Sequence, residues 1–140
     1  MKRIAAATVI ALSVVLGGCS APAPGSSSQG NVAPAKAENL DAKGFAALVG
    51  TKDVVVLDVR TPSEFAGGHL EGAVNIDIYA SDFSSKIASL DKSKSYAIYC
   101  RSGNRSKTAL DQMKKSGFSQ VAHLTGGIGA WQASGGKVVK

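Results

Sequence analysis

The sequence predicts an α/β domain with a mostly parallel central sheet and helices on both faces. Three short apolar runs, at residues 54–59, 96–99 and 121–124, are each followed by a turn and a helical pattern. Such alternation is typical of α/β proteins. The first run is apolar on both faces apart from Asp58, as expected for a central parallel strand that helices cover. The carboxyl ends of these strands should meet at one edge, where such sheets bind ligands.

The predicted domain covers residues 38–136, and its first half begins with a helix at residues 39–50. Asp41 can cap this helix, and a glycine ends it. After the strand at 54–59, one helical turn at 61–65 has a proline near its start, a position that proline favours. Three further elements complete this half: a turn at 67–69, a short strand at 73–76 and a helix at 81–90.

The second half places a strand and a helix around a polar loop. The strand at 96–99 leads into the sequence CRSGNRS, and a helical pattern follows at residues 107–116. Lysines lie in the last turn of that helix, where cations suit the helix dipole. The strand at 121–124 and a glycine turn lead to a last helix that carries Trp131. Residues 137–140 are interpreted as a C-terminal tail.

The polar loop is the candidate active site, because it holds Cys100 between the end of a strand and the start of a helix. A helix start presents unpaired N–H groups and the positive end of a dipole. Such groups bind anions and lower the pKa of a thiol. Arg101 and Arg105 flank the cysteine, and Gly103 allows the loop to curl. The pattern therefore predicts a thiolate surrounded by hydrogen-bond donors.

The N-terminal segment is expected to be a signal peptide and not part of the domain. Lys2 and Arg3 precede an apolar run at residues 4–16, which has signal-peptide length and is too short to span a bilayer. The run ends in two glycines and Cys19, which resembles the bacterial lipoprotein box, where the cysteine thiol receives a diacylglycerol. We therefore expect a signal peptide at residues 1–18 and a lipid anchor that holds the protein on the extracytoplasmic side of the cell membrane.

A flexible tether is predicted at residues 19–37, which are rich in alanine, proline, serine and glycine and show no hydrophobic period. It would hold the domain away from the membrane. The alternative is a plain secretory signal in which Cys19 is incidental.

Composition and motifs argue against two classes of function. The net charge of +6 comes from scattered basic residues without interleaved aromatics, so nucleic acid is not an expected partner. No cluster of metal-ligating residues is apparent. His69 and His123 stand apart: His69 is expected to donate a hydrogen bond that holds a turn, and His123 to be a strand residue whose hydrogen bonds are satisfied. The sequence therefore predicts a site that works without a metal or a cofactor.

Three motifs occur in an order that resembles the rhodanese-like domain. Residues 58–76, with DVR, EF and GHLEGAVNI, resemble the first signature of that family. Residues 100–106 resemble its active-site loop. Residues 124–127, LTGG, with Trp131, resemble its C-terminal motif. Together these motifs span essentially the whole predicted domain.

The resemblance implies a single-domain sulfurtransferase that moves sulfane sulfur through a persulfide on Cys100. The implied partners are a small anionic donor such as thiosulfate and an acceptor such as cyanide or a thiol; no protein partner is identified. The implied site consists of the catalytic Cys100, the substrate-binding residues Arg101, Ser102, Gly103, Asn104, Arg105 and Ser106, and the supporting residues Asp58 and Arg60.

The ionic partners around the loop can be predicted only as alternatives. Asp58 either accepts hydrogen bonds from loop amides or pairs with Arg105 and fixes the loop. Arg60 and Glu64 are expected to form a structural ion pair across the turn.

Three other functions remain as alternatives. The first is a phosphatase. Related phosphatase domains have a loop that resembles Cys-x5-Arg, which is wide enough to hold a phosphate. Here only four residues separate Cys100 from Arg105, and this tighter loop suits a sulfur atom better than a phosphate. A non-catalytic module could accept sulfur from a partner protein or dock one. A redox sensor is the third alternative, since Cys100 has no disulfide partner in the chain if Cys19 is lipidated.

Overall fold

A computed structural model describes residues 39–140 of the chain. Its five strands are β1 (Asn39–Leu40), β2 (Val54–Asp58), β3 (Val74–Asn75), β4 (Ser95–Tyr99) and β5 (Val121–Leu124). They form one sheet in the order β1-β5-β4-β2-β3, and every neighbouring pair runs parallel. The predicted parallel sheet is therefore confirmed.

The segment before residue 39 lies outside the described residues. The predicted signal peptide at 1–18, the lipidated Cys19 and the tether at 19–37 all fall in that segment. Within the described residues, no helix has both the length and the apolar character needed to cross a bilayer.

Helices cover both faces of the sheet, as predicted. They are α1 (Ala42–Val49), α2 (Pro62–Ala66), α3 (Phe83–Ala88), α4 (Asn104–Lys115) and α5 (Gly127–Ala133). Alternate residues of β4 point into two different cores, because side chains alternate along a strand. Tyr96 and Ile98 pack with α3 and α4, whereas Ala97 and Tyr99 pack with α1 and α5. The sheet is thus buried on both faces at its centre.

The register brings the candidate site to one edge of the sheet. Asp58 at the end of β2 lies beside Tyr99 at the end of β4. Ile98 lies beside His123 near the end of β5. The loops that follow these three strands therefore start at the same level, with the loop that begins at Cys100 in the middle.

Side-chain hydrogen bonds cap the first turns of helices α1 and α2. The Asp41 side chain accepts a hydrogen bond of 2.7 Å from the Gly44 N–H at the start of α1. Thr61 caps α2 in a capping box, in which its side chain accepts from the Glu64 N–H and the Glu64 carboxylate accepts from the Thr61 N–H. This arrangement fixes the direction of the Glu64 side chain.

Three differences from the prediction concern a strand, a helix start and the C-terminal segment. Residues 39–40, predicted as the start of a helix, form strand β1, because Asn39 pairs beside His123 in the sheet. Helix α4 begins at Asn104 instead of residue 107, because Gly103 takes a left-handed conformation with a φ of 99° and turns the chain directly into the helix.

The assignment of residues 137–140 to a tail is wrong, which is the third difference. Val139 exchanges two backbone hydrogen bonds of 2.9 Å with His69. The Trp131 indole N–H donates to the Lys137 carbonyl over 2.9 Å. Val138 packs on the core that includes α1 and α5, so burial of its side chain and pairing of the backbone hold this segment in place.

Candidate active site

Cys100 occupies the position that the sequence predicts, directly after β4 and before α4. It is the free cysteine of the described residues, and it is 0% exposed. Its sulfur accepts a hydrogen bond of 3.1 Å from the Gly103 N–H. The turn that makes this bond requires the positive φ of Gly103, which a glycine adopts at little cost.

Several donors around the sulfur favour the thiolate. Burial raises the pKa of Cys100, but hydrogen bonds from the Ser106 hydroxyl and from the backbone N–H groups of Ser106, Ser102 and Gly103 outweigh it, and the pKa is lowered. A thiol with a lowered pKa is a better source of the nucleophilic thiolate. The same N–H groups can stabilise negative charge on a second sulfur atom bound to Cys100.

The loop after β5 packs against the Cys100 loop. Gly126 and Gly127 have φ values of 79° and 61°. The Ile128 N–H donates to the Cys100 carbonyl over 2.8 Å. A Cβ on Gly127 would lie 2.4 Å from that carbonyl oxygen and from the Arg101 carbonyl carbon. The structure thus brings the predicted LTGG motif into contact with the loop, and Gly127 is required for that close approach.

Arg105 is bound by Glu64 and not by Asp58. Its Nη1 lies 2.7 Å from Glu64 Oε2, and its Nη2 lies 2.8 Å from Glu64 Oε1. The Arg105 hydrogen bond is the main reason why the pKa of Glu64 is lowered to about 2. The guanidinium carbon also lies 5.7 Å from the centre of the Tyr79 ring, which is 72% exposed. Of the two alternatives for Asp58, the pairing with Arg105 is therefore wrong.

Asp58 instead pairs with Arg60. Both carboxylate oxygens accept from the Arg60 side chain, and both side chains are almost fully buried. The Arg60 Nη2 also donates to the Gly68 carbonyl over 2.8 Å. These bonds replace the two predicted arrangements, in which Asp58 served the loop and Arg60 paired with Glu64. Residues two apart in an extended segment share a face, which explains this pairing.

The remaining loop residues divide into exposed and buried ones. Arg101, Ser102 and Asn104 are exposed. Among the salt bridges of the described residues, none involves Arg101. Ser106 is fully buried, and its hydroxyl oxygen lies 3.0 Å from the Gly103 carbonyl oxygen. Arg101 is therefore free to meet an anion from solvent, whereas Arg105 already has a carboxylate partner.

A buried polar chain behind Ser106 was not predicted as part of the site. The Ser106 hydroxyl lies 3.1 Å from His123 Nδ1, and the Asn39 side-chain oxygen accepts from His123 Nε2 over 2.7 Å. Burial, followed by the charge of Lys107, lowers the pKa of His123, so the ring is neutral at pH 7. His123 is a satisfied strand residue, as expected. Its link to Ser106 depends on strand pairing, which no local sequence signal indicates.

Comparison with known proteins identifies the family of this fold and site. The family model of the rhodanese-like domain matches residues 41–134 of this chain. The chain belongs to the rhodanese-like domain family. A sulfurtransferase of Allochromatium vinosum is 35% identical over 92 residues, which cover 66% of this chain and 84% of that protein. The uncharacterized protein slr1261 of Synechocystis is 36% identical over 87 residues, which cover 62% of this chain and 48% of that protein.

A solved structure supports the same assignment. The rhodanese-related protein of Thermoplasma volcanium is 32% identical, with a TM-score of 0.65 over 73% of this chain and 97% of that chain. In this rhodanese-like domain, the described residues include no group of three or more His, Cys, Asp or Glu side chains that could hold a metal ion.

Proposed function

We propose that this rhodanese-like domain is a sulfurtransferase that carries sulfane sulfur as a persulfide on Cys100. The observation that carries the proposal is the buried thiol at the turn from β4 to α4, with hydrogen-bond donors from the loop around its sulfur. Sulfurtransferases occur among its relatives, which supports sulfur transfer in general. The donor and the acceptor are our proposal.

In the first half-reaction, the Cys100 thiolate attacks the outer sulfur of thiosulfate. The new bond joins the two sulfur atoms as the sulfur–sulfur bond of the donor breaks, and sulfite leaves with the bonding electron pair. The product is an anionic persulfide, which the N–H groups of Ser102, Gly103 and Ser106 can stabilise. Arg101, which is exposed beside the thiol, would attract the anionic donor.

In the second half-reaction, cyanide or a thiolate attacks the terminal sulfur of the persulfide. The persulfide bond breaks, the acceptor leaves with the sulfur, and the Cys100 thiolate is restored. Atoms and electrons balance over the two steps without an oxidant or a metal ion. A phosphatase reaction is less favoured, because only four residues separate Cys100 from Arg105 and Arg105 is already bound to Glu64.

Mass spectrometry of the intact protein tests this function. After incubation with thiosulfate, we expect the wild-type chain to gain the mass of one sulfur atom and the Cys100→Ser variant to gain none. Addition of cyanide should remove the extra sulfur and release thiocyanate at a steady rate. A wild-type chain that gains no sulfur, or an equal gain in Cys100→Ser, would refute the proposal. Loading without steady turnover would favour a sulfur-delivery module instead.

We also propose that Cys19 carries a lipid that anchors the domain on the extracytoplasmic side of the membrane. The proposal rests on the apolar run and the Gly-Gly-Cys ending of the leader. In cells that process lipoproteins, the wild-type protein should fractionate with membranes. Cys19→Ala should appear as uncleaved precursor or as released protein. A wild-type protein that is secreted without a lipid contradicts the anchor.

A further inference from the structure

The charge of Arg105 is largely compensated before any donor arrives. Two parallel hydrogen bonds join its guanidinium to Glu64, and the two side chains are only 19% and 26% exposed. Two bonds in this geometry fix a guanidinium more firmly than a single contact does. Arg105 therefore differs from Arg101, which is exposed and outside the salt bridges of the described residues.

Glu64 is held in place independently of Arg105. Its Oε2 accepts from the Thr61 N–H over 3.2 Å and from the Thr61 hydroxyl over 3.1 Å. The Glu64 N–H donates back to the Thr61 hydroxyl over 3.3 Å. The start of α2 thus places a carboxylate beside the loop arginine. This carboxylate stays ionised at neutral pH, because its pKa is lowered to about 2, mainly by Arg105.

The carboxylate lies beside the loop that holds the reacting sulfur, because it binds Arg105, five residues after Cys100. The charges of Glu64 and then Cys100 both help to raise the pKa of Arg105, after its hydrogen bond to Glu64. The three groups therefore share one electrostatic environment. A donor that approaches Cys100 is attracted by Arg105 and repelled by Glu64. Since Coulomb energy is proportional to charge, the repulsion is twice as large for a dianion as for a monoanion.

We propose that Glu64 is a specificity-determining residue, which disfavours dianionic sulfur donors and favours donors with one negative charge, such as thiosulfonates and organic persulfides. This inference rests on the proposed sulfur transfer. It adds that the site is tuned to the charge of its donor, through a residue outside the loop itself.

Two donors of similar shape separate charge from size. Thiosulfate carries two negative charges, and methanethiosulfonate replaces one of its oxygens with a methyl group and carries one. With methanethiosulfonate, Cys100 forms the same persulfide, and methanesulfinate leaves with the electron pair of the broken sulfur–sulfur bond. The measured quantity is the ratio of kcat/KM for thiosulfate to kcat/KM for methanethiosulfonate.

Glu64→Gln removes the charge and keeps the helix start, because glutamine also serves at the third position of a capping box. We expect this variant to raise the ratio about threefold at low ionic strength, the effect of one charge at several ångströms in a water-like medium. The gain should come from a lower KM for thiosulfate, and it should shrink as salt is added. Glu64→Asp, which keeps the charge, should leave the ratio near the wild-type value.

Asp82→Asn is the matched control, since it removes one negative charge from an exposed pair with Lys86 on α3. It should leave the ratio unchanged. An unchanged or lower ratio in Glu64→Gln would overturn the inference, as would an equal loss of activity with both donors, which would indicate a purely structural role. If neither donor loads sulfur onto the wild-type Cys100, the proposed function itself fails, and that outcome is distinct from the others.

Discussion

A side chain on Gly127 should distort the active-site loop. Gly127 has a φ of 61°, and an alanine Cβ there would lie 2.4 Å from the Cys100 carbonyl oxygen and from the Arg101 carbonyl carbon. The left-handed conformation costs alanine about 1–2 kcal/mol. Overlap with packed atoms adds about 1–3 kcal/mol, and here the atoms are backbone and cannot rotate away. Gly127→Ala should therefore lower the free energy of unfolding by about 2–5 kcal/mol.

Gly135→Ala provides a matched control for the backbone cost. Gly135 has a φ of 84°, and an alanine Cβ there would meet no atom within 4 Å. This variant should lose only the conformational part, about 1–2 kcal/mol. Urea denaturation measures both losses, and the rate of sulfur loading onto Cys100 measures the loop. The reasoning is refuted if the two variants are equally destabilised, or if Gly127→Ala loads sulfur at the wild-type rate.

Three further changes have defined outcomes. Ser106→Ala should raise the pKa of Cys100 and slow its alkylation by iodoacetamide near pH 7 about tenfold, because a hydrogen bond to a charged group contributes about 1.5 kcal/mol or more; an unchanged pH profile would contradict this. Asp58→Asn should destabilise the fold by about 3–5 kcal/mol in urea, because it leaves Arg60 buried without a counter-charge. The stability difference between wild type and Glu64→Gln should be constant above about pH 4.5 and shrink as the pH falls towards 2, because the pKa of Glu64 is lowered in the folded state; a difference that grows in acid would contradict it.

The main features of the fold could be predicted from the sequence because they depend on local patterns. The apolar runs at 54–59, 96–99 and 121–124 correspond to β2, β4 and β5. Each run is short, mostly apolar and followed by polar turn residues, a combination that suits a buried parallel strand. The position of Cys100 follows from the same reasoning, since the end of a strand and the start of a helix define its place.

The ionic partners could not be predicted, because they depend on long-range packing. Glu64 and Arg105 are 41 residues apart, and no local pattern joins them. Asp58 had more than one plausible partner. It pairs with Arg60 because residues two apart in an extended segment lie on the same face. Thr61 and Glu64 form a capping box in the structure, which fixes the direction of the Glu64 side chain. A capping box marks a helix start, but it does not indicate which residue lies opposite the carboxylate.

The correct pairs change the explanation of how the thiolate is stabilised. A loop with two arginines suggests that cationic side chains lower the pKa of Cys100. The largest contributions that lower this pKa come instead from the Ser106 hydroxyl and from backbone N–H groups, while Arg105 is bound by Glu64. Backbone donors in direct contact with a buried sulfur are screened by salt much less than exposed charges are. Salt should therefore weaken the capture of an anionic donor near Arg101 while leaving the pKa of Cys100 nearly constant, so the two roles of the loop rest on different groups.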